Sequence, residues 1–249
     1  MLILNKIDLA DKQVSEKLIA QYTKDKDIKM TLLANCKTQH NKAIKRVLPM
    51  LKRIFHNQNV ARALESDIPL EMLPERQYKV LVCGVPNVGK SSFINSIRRH
   101  FMRKGKAAPV GKTPGITRSV MQTITISRSP LIYILDTPGI VAPSIPNTET
   151  GMKLALTGTF PDHTIGEELI ADYLLYVLNK QNNRNYLELC GLTEPCDDFH
   201  QVVRSLAIKH DLIRQNRPHY LRCCNLLISS FRNGDFGKIT LDDDSELVS

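Results

Sequence analysis

Residues 84–91, Gly84-Val85-Pro86-Asn87-Val88-Gly89-Lys90-Ser91, match G-x-x-x-x-G-K-[ST] at every fixed position. They follow the apolar run Val80-Leu81-Val82-Cys83 and precede Phe93, Ile94, Ile97 and Phe101, which share one helical face. A glycine loop set between a strand and a helix confines the chain to α/β architectures in which that helix packs on a sheet. Gly84 and Gly89 let the backbone curl so that its N–H groups converge on phosphate oxygens, and the helix N-terminus adds partial positive charge. Lys90 is expected to reach the β- and γ-phosphates and the Ser91 hydroxyl to hold magnesium, with Val88, Gly89 and Ser92 completing the phosphate contacts. The bland alternative is a strand-to-helix turn that binds nothing.

A second motif, Asp136-Thr137-Pro138-Gly139, follows the strand-like run Leu131-Ile132-Tyr133-Ile134-Leu135. A strand ending in aspartate delivers a carboxylate to the metal, and the Gly139 N–H is expected to sense the γ-phosphate. Between the two motifs lies Thr113-Pro114-Gly115-Ile116-Thr117. Thr117 is the candidate switch threonine closing on magnesium; the alternative is a Pro-Gly turn whose threonine merely opens the next strand.

The third motif, Asn5-Lys6-Ile7-Asp8, comes first in the chain, after Met1-Leu2-Ile3-Leu4. A carboxylate at Asp8 can accept from the ring N–H and the exocyclic amine of guanine, which adenine does not offer, and the Lys6 stem can cover the purine face. A site built to pair a polar group rejects a base that leaves it unpaired. A helix-like stretch from Gln13 to Tyr22 and the apolar Met30-Thr31-Leu32-Leu33 lead to Ala34-Asn35-Cys36, where Ala34 and Asn35 are expected to form a second base-contacting loop.

The order NKID, GVPNVGKS, PGIT, DTPG resembles the circularly permuted GTPases of the YlqF/RbgA ribosome-biogenesis family, and within it the ribosome-associated branch of animal mitochondria. Glu149-Thr150-Gly151-Met152-Lys153-Leu154-Ala155 and Ala171-Asp172-Tyr173-Leu174-Leu175-Tyr176 carry the more specific part of the likeness. The resemblance implies a GTP/GDP-binding hydrolase that uses Mg2+ and works with the rRNA and proteins of the mitochondrial large ribosomal subunit in its assembly and in translation. It places the protein on the matrix side of the inner membrane, peripherally. Catalysis would fall to Lys90, Thr117 and Gly139, metal binding to Ser91, Thr117 and Asp136. Asn87 would help hold K+, against the alternative that it only shapes the loop.

The family sets a further strand and helix ahead of N-K-x-D, whereas four residues precede Asn5. The expectation is therefore an N-terminally incomplete, parallel-rich sheet with a gap between its phosphate-binding and base-binding halves, exposing strand edges. With 249 residues, 42% of them hydrophobic, there is chain enough for a core and a smaller appendage. No apolar run approaches membrane-spanning length, and no targeting sequence is readable at the N-terminus. The six cysteines form no C-x-x-C pair, which argues against zinc or a disulfide framework; Cys83 reads as a small buried hydrophobe.

Net charge is +9, and between Arg76 and Leu135 there are eleven Lys and Arg and no Asp or Glu. Arg98, Arg99, Arg103, Lys104, Lys106 and Lys112 are too many and too far along the chain to serve nucleotide phosphate alone, so this face is expected to meet rRNA. A solvated positive face is the alternative.

The organisation read from sequence is a base-recognition half over 1–55, whose last stretch, Asn41 to Phe55, is helix-like; a linker over 56–77; a phosphate half with switches over 78–147, including a strand Val120 to Ser127; and a small helical domain over 148–249 ending in an acidic tail. In that domain Leu169, Ile170, Tyr173, Leu174, Val177 and Leu178 make one core stripe, and Phe199, Val202, Val203 and Leu206 another. Ile140 stands where many GTPases carry a water-orienting glutamine, so slow intrinsic turnover stimulated by the ribosome is expected. The rival readings are a non-catalytic RNA-binding or interaction protein and a P-loop NTPase without a ribosomal role.

Overall fold

The computed structural model describes residues 1–38, 42–102 and 123–242. The chain forms two compact units, Met1–Lys6 with Tyr22–Val141, and Ile7–Gln21 with Ala142–Ser249.

The first unit carries β1 (Leu2–Leu4), the end of α1 (Lys12–Thr23), β2 (Thr31–Leu33), α2 (Lys42–Ser66), a 3-10 turn (Leu70–Met72), β3 (Tyr78–Val82), α3 (Lys90–Met102), β4 (Thr123–Arg128) and β5 (Leu131–Asp136). β1 and β2 pair in parallel, Ile3 opposite Leu32. β3 runs parallel to β5, Val80 opposite Ile134, and β4 runs antiparallel to β5, giving the order β3-β5-β4. The two sheets are separate, so among the described residues no strand bridges the phosphate-binding and base-binding halves.

Strand alternation decides which side of the larger sheet is covered. Ile124, Ile126, Ile132 and Ile134 are buried together with Ile44, Val47, Leu48 and Leu51 of α2 and Phe93, Ile94 and Ile97 of α3. On β3 and the residue after it the other face is open: Lys79, Leu81 and Cys83 are exposed, Leu81 by 54%. The expectation of a buried Cys83 is corrected accordingly, because two-residue alternation carries it to the uncovered side with Leu81. Helix α2 continues past Phe55 to Ser66, into the stretch read as a linker. Its extension is held by Phe55 stacking on Tyr78 at 4.0 Å and by the Tyr78 hydroxyl donating to Asn59 Oδ1 at 2.8 Å. Pro49 lies inside the helix on its exposed side, where the lost backbone bond is cheapest.

The second unit is helical: α4 (Thr148–Leu156), α5 (Asp162–Ile165), α6 (Glu167–Lys180), α7 (Tyr186–Cys190), α8 (Phe199–Lys209), a hairpin of β6 (Ile213–Arg214) and β7 (Arg217–Pro218), and α9 (Tyr220–Asn233). Asn147 caps α4 by accepting from Thr150 N at 2.8 Å, and Asp198 caps α8 by accepting from His200 N at 2.9 Å. The α8 stripe is buried as expected. In α6, Ile170, Leu174, Val177 and Leu178 are buried with Ala171 and Leu175, while Leu169 is 54% exposed. With Ala171 and Leu175 included, the buried arc is centred on the side of the helix away from Leu169. Arg232 of α9 clamps this unit with two 2.7 Å bonds to the Asp162 carboxylate and further bonds to the carbonyls of Leu156 and Ala155.

Candidate nucleotide site

The phosphate loop joins β3 to α3 with Asn87 at φ 59° and Gly89 at φ 99°. Asparagine tolerates the left-handed region, but at Gly89 a Cβ would also collide with the Asn5 carboxamide, so only glycine serves there. Lys90, first residue of α3, folds back over its own loop, its Nζ donating to the carbonyls of Gly84 and Val85 at 2.9 Å each. Burial lowers its pKa, while the nearby Asp136 carboxylate works the other way.

Asp136 ends β5 and is 2% exposed. Its Oδ2 lies 3.5 Å from the Ser91 hydroxyl, and its Oδ1 is buried without a hydrogen-bond donor. Burial raises its pKa, opposed by Lys90 and by hydrogen bonds from Ser91 and the Thr137 N–H. A carboxylate oxygen and a hydroxyl oxygen facing one another, one carboxylate lone pair unanswered, are a donor set that suits a hard divalent cation. The following residues are tied to the loop: Thr137 Oγ1 donates to the Val82 carbonyl at 2.8 Å and Ile140 N donates to that of Gly84 at 3.1 Å. A Cβ at Gly139 would stand 2.8 Å from the Pro86 backbone nitrogen.

Asn5 joins three motifs. Its Nδ2 donates to the Val88 carbonyl at 2.8 Å, and its Oδ1 accepts from Cys36 N at 3.2 Å. Ala34, 1% exposed, donates its N–H to the Leu4 carbonyl at 2.8 Å, and the Cys36 carbonyl accepts from Ser96 on α3 at 3.0 Å. The 34–36 segment is thereby fixed beside the phosphate loop, with Asn35 half-buried and its Oδ1 accepting from Lys37 N at 3.0 Å. Lys6 is held at φ 60°. Ile7 and Asp8 belong to the second unit, Asp8 exposed in a turn. Ser92 is half-buried in the first turn of α3 and Val88 is 36% exposed. Thr117 lies outside the described residues, as do Arg103, Lys104, Lys106 and Lys112.

The bracing bonds of Thr137, named above only as a member of its motif, and of Ser96 were not read from the sequence. Both act through backbone carbonyls that only the folded chain brings near, so spacing carries no signal for them.

The loop, its lysine and the strand-end aspartate define a P-loop nucleotide-binding α/β protein. The sequence description of the 50S ribosome-binding GTPases matches residues 79–207. The chain is 41% identical over 254 residues to Mitochondrial GTPase 1 of Aedes aegypti, covering 98% of this chain and 78% of the relative. It is 40% identical over 256 residues to Mitochondrial ribosome-associated GTPase 1 of Bos taurus, covering 98% and 74%. The fold matches GDP-bound TM YlqF with a TM-score of 0.58 at 21% identity over 98% of this chain and 82% of that one. It also matches GNP-bound YlqF from T. maritima with a TM-score of 0.57 at 20% identity, over 97% and 80%. The chain belongs to the family of 50S ribosome-binding GTPases: it binds guanine nucleotide, hydrolyses GTP and falls in the mitochondrial branch. A non-catalytic binding protein is not favoured by this membership.

Proposed function

We propose that the chain works as a GTP-driven factor on the large subunit of the mitochondrial ribosome, in its assembly and in translation, from the matrix side of the inner membrane. The observation that carries the site assignment is the buried Asp136 carboxylate facing Ser91 beside Lys90. The relatives named as ribosome-associated support the partner, and the basic run from Arg76 to Leu135 supports contact with rRNA.

On this reading Lys90 exchanges the carbonyls of Gly84 and Val85 for β- and γ-phosphate oxygens, and the loop N–H groups take up the remaining charge. Ser91, Asp136 and Thr117 are the residues that would hold Mg2+, which supplies positive charge on the phosphates. Gly139 N–H meets a γ-oxygen. Water attacks the γ-phosphorus in line, the bond to the bridging oxygen breaks, and GDP leaves with the bond's electron pair. Asp8 accepts from guanine, the Lys6 stem covers the ring, and Ala34 and Asn35 line its other side. Ile140, 58% exposed, cannot orient water by hydrogen bonding, so the ribosome has to supply that function. Asn87 as a partial ligand of K+ rests on resemblance; equal turnover in K+ and Na+ buffers would remove it.

Sedimentation with mitochondrial large subunits tests the reading. Co-migration is expected with a nonhydrolysable GTP analogue and release with GDP, and hydrolysis should accelerate on adding subunits. Absence of both effects would sink the ribosomal assignment.

A further inference from the structure

Between Ile28 and Leu64 the chain has eight Lys and Arg and no Asp or Glu. Most of that segment is α2. At 3.6 residues per turn, Lys42, Lys45, Arg46, Pro49 and Arg53 fall within about 100° of arc, opposite the buried Ile44, Val47, Leu48 and Leu51. All four cations are exposed, and none makes a hydrogen bond or ion pair among the described residues. Lys52 differs: its Nζ donates to the Ser129 carbonyl at 2.7 Å, a structural tie.

This placement works against the helix. Lys42 stands three and four residues from Lys45 and Arg46, where like charges repel. The three cluster at the N-terminal end, whose dipole is already positive, and there is no acid in the first turn. A bound polyanion would relieve both strains.

We propose that the outer face of α2, through Lys42, Lys45, Arg46 and Arg53, is a contact for the phosphate backbone of double-helical RNA. These four residues are a different set from the basic residues Arg98 to Lys112 named from the sequence. The stripe is about 17 Å long at 1.5 Å per residue, and it offers no aromatic or aliphatic anchor of the kind a protein interface centres on. A lipid surface fits less well, because an interfacial helix buries its apolar face in the bilayer. The apolar face of α2 is already used against α3 and the sheet, and Leu64, its one exposed large hydrophobe, lies three turns beyond Arg53.

The inference rests on the ribosomal reading for its source of RNA, and the experiment separates the two. The 249-residue chain with all four residues changed to Gln is titrated against mitochondrial large subunits and against an isolated RNA duplex over a salt series. Relative to the unchanged protein, the slope of log K against log salt should become shallower by about three to four units, and by about one for Arg53→Gln alone. GTP affinity should be retained, and the melting temperature should hold or rise as the repulsion is removed. Unchanged slopes on both RNAs overturn the proposal and leave the ribosomal reading standing. If the unchanged protein ignores subunits yet its duplex binding responds to the substitutions, the ribosomal reading falls and the α2 contact stands. Binding to anionic vesicles that the substitutions weaken, with duplex binding untouched, overturns it in favour of a membrane.

Discussion

The Asn5 carboxamide donates to the Val88 carbonyl at 2.8 Å while accepting from Cys36 N, so the first residue of N-K-I-D braces the phosphate loop itself. Asn5→Ala removes both bonds and leaves a backbone donor and acceptor to find water. A loss of about 1–2 kcal/mol is expected, shared between stability and nucleotide affinity. GDP titration and thermal melting read the two, and full retention of GDP affinity would mean that the loop keeps its shape without the brace.

Asp136 is expected to destabilise the nucleotide-free fold at neutral pH. A carboxyl whose folded pKa is raised by burial above its ordinary, unfolded value contributes stability at pH below that ordinary value and loses it as pH rises through the folded one. Asp136→Asn should therefore raise Tm at pH 7 by about 2–4 °C, equivalent to about 1 kcal/mol in a chain of this size, with the gain shrinking as pH falls toward 4. Lys90 keeps its two carbonyl acceptors in the variant. Stabilisation by Mg2+ with GDP should vanish. An unchanged Tm at both pH values, or intact magnesium dependence, would contradict the assignment.

The phosphate loop and its flanking strand and helix were legible because their signals are local: fixed glycines, a lysine, and apolar periodicity. The burial of Cys83 was not, since its exposure depends on what covers the far face of β3, and four apolar residues in a row read alike whether one side or both are packed. The extension of α2 to Ser66 escaped for a similar reason, being held by Tyr78 far along the chain rather than by its own stripe. Asn5 was read as a nucleotide contact, and its bracing role needed the loop to come alongside. Only contacts distant in sequence distinguish these cases.

The base assignment predicts a change of preference. Asp8→Asn replaces an acceptor by an amide that can donate, which matches the extra carbonyl of xanthine and mismatches the guanine N–H and amine. Competition titrations should show GTP binding at least about 10-fold weaker and xanthosine triphosphate improved, about the value of one lost polar pairing. Parallel loss of both nucleotides would count against direct base contact.

Turnover should be insensitive to the side chain that follows D-x-x-G. Ile140→Ala removes an exposed apolar group and no hydrogen bond, so intrinsic hydrolysis should change by less than about threefold, whereas Lys90→Ala should abolish productive binding. A large fall in turnover for Ile140→Ala with GTP affinity intact would give the isoleucine a part in excluding water.

Gly139 separates sensing of the γ-phosphate from shaping of the loop. Its backbone lies so near Pro86 that a Cβ would come within 2.8 Å of the proline nitrogen, a contact no rotamer can relieve. Gly139→Ala must therefore push residue 86 or the segment at 137–140 aside before nucleotide arrives. Because Pro86 belongs to the phosphate loop, GDP and GTP affinity should both fall, GTP further because its γ-phosphate also loses an aligned N–H. Titration with both nucleotides decides: a defect confined to GTP would show that the loop absorbs the extra methyl and that Gly139 acts on the γ-phosphate alone.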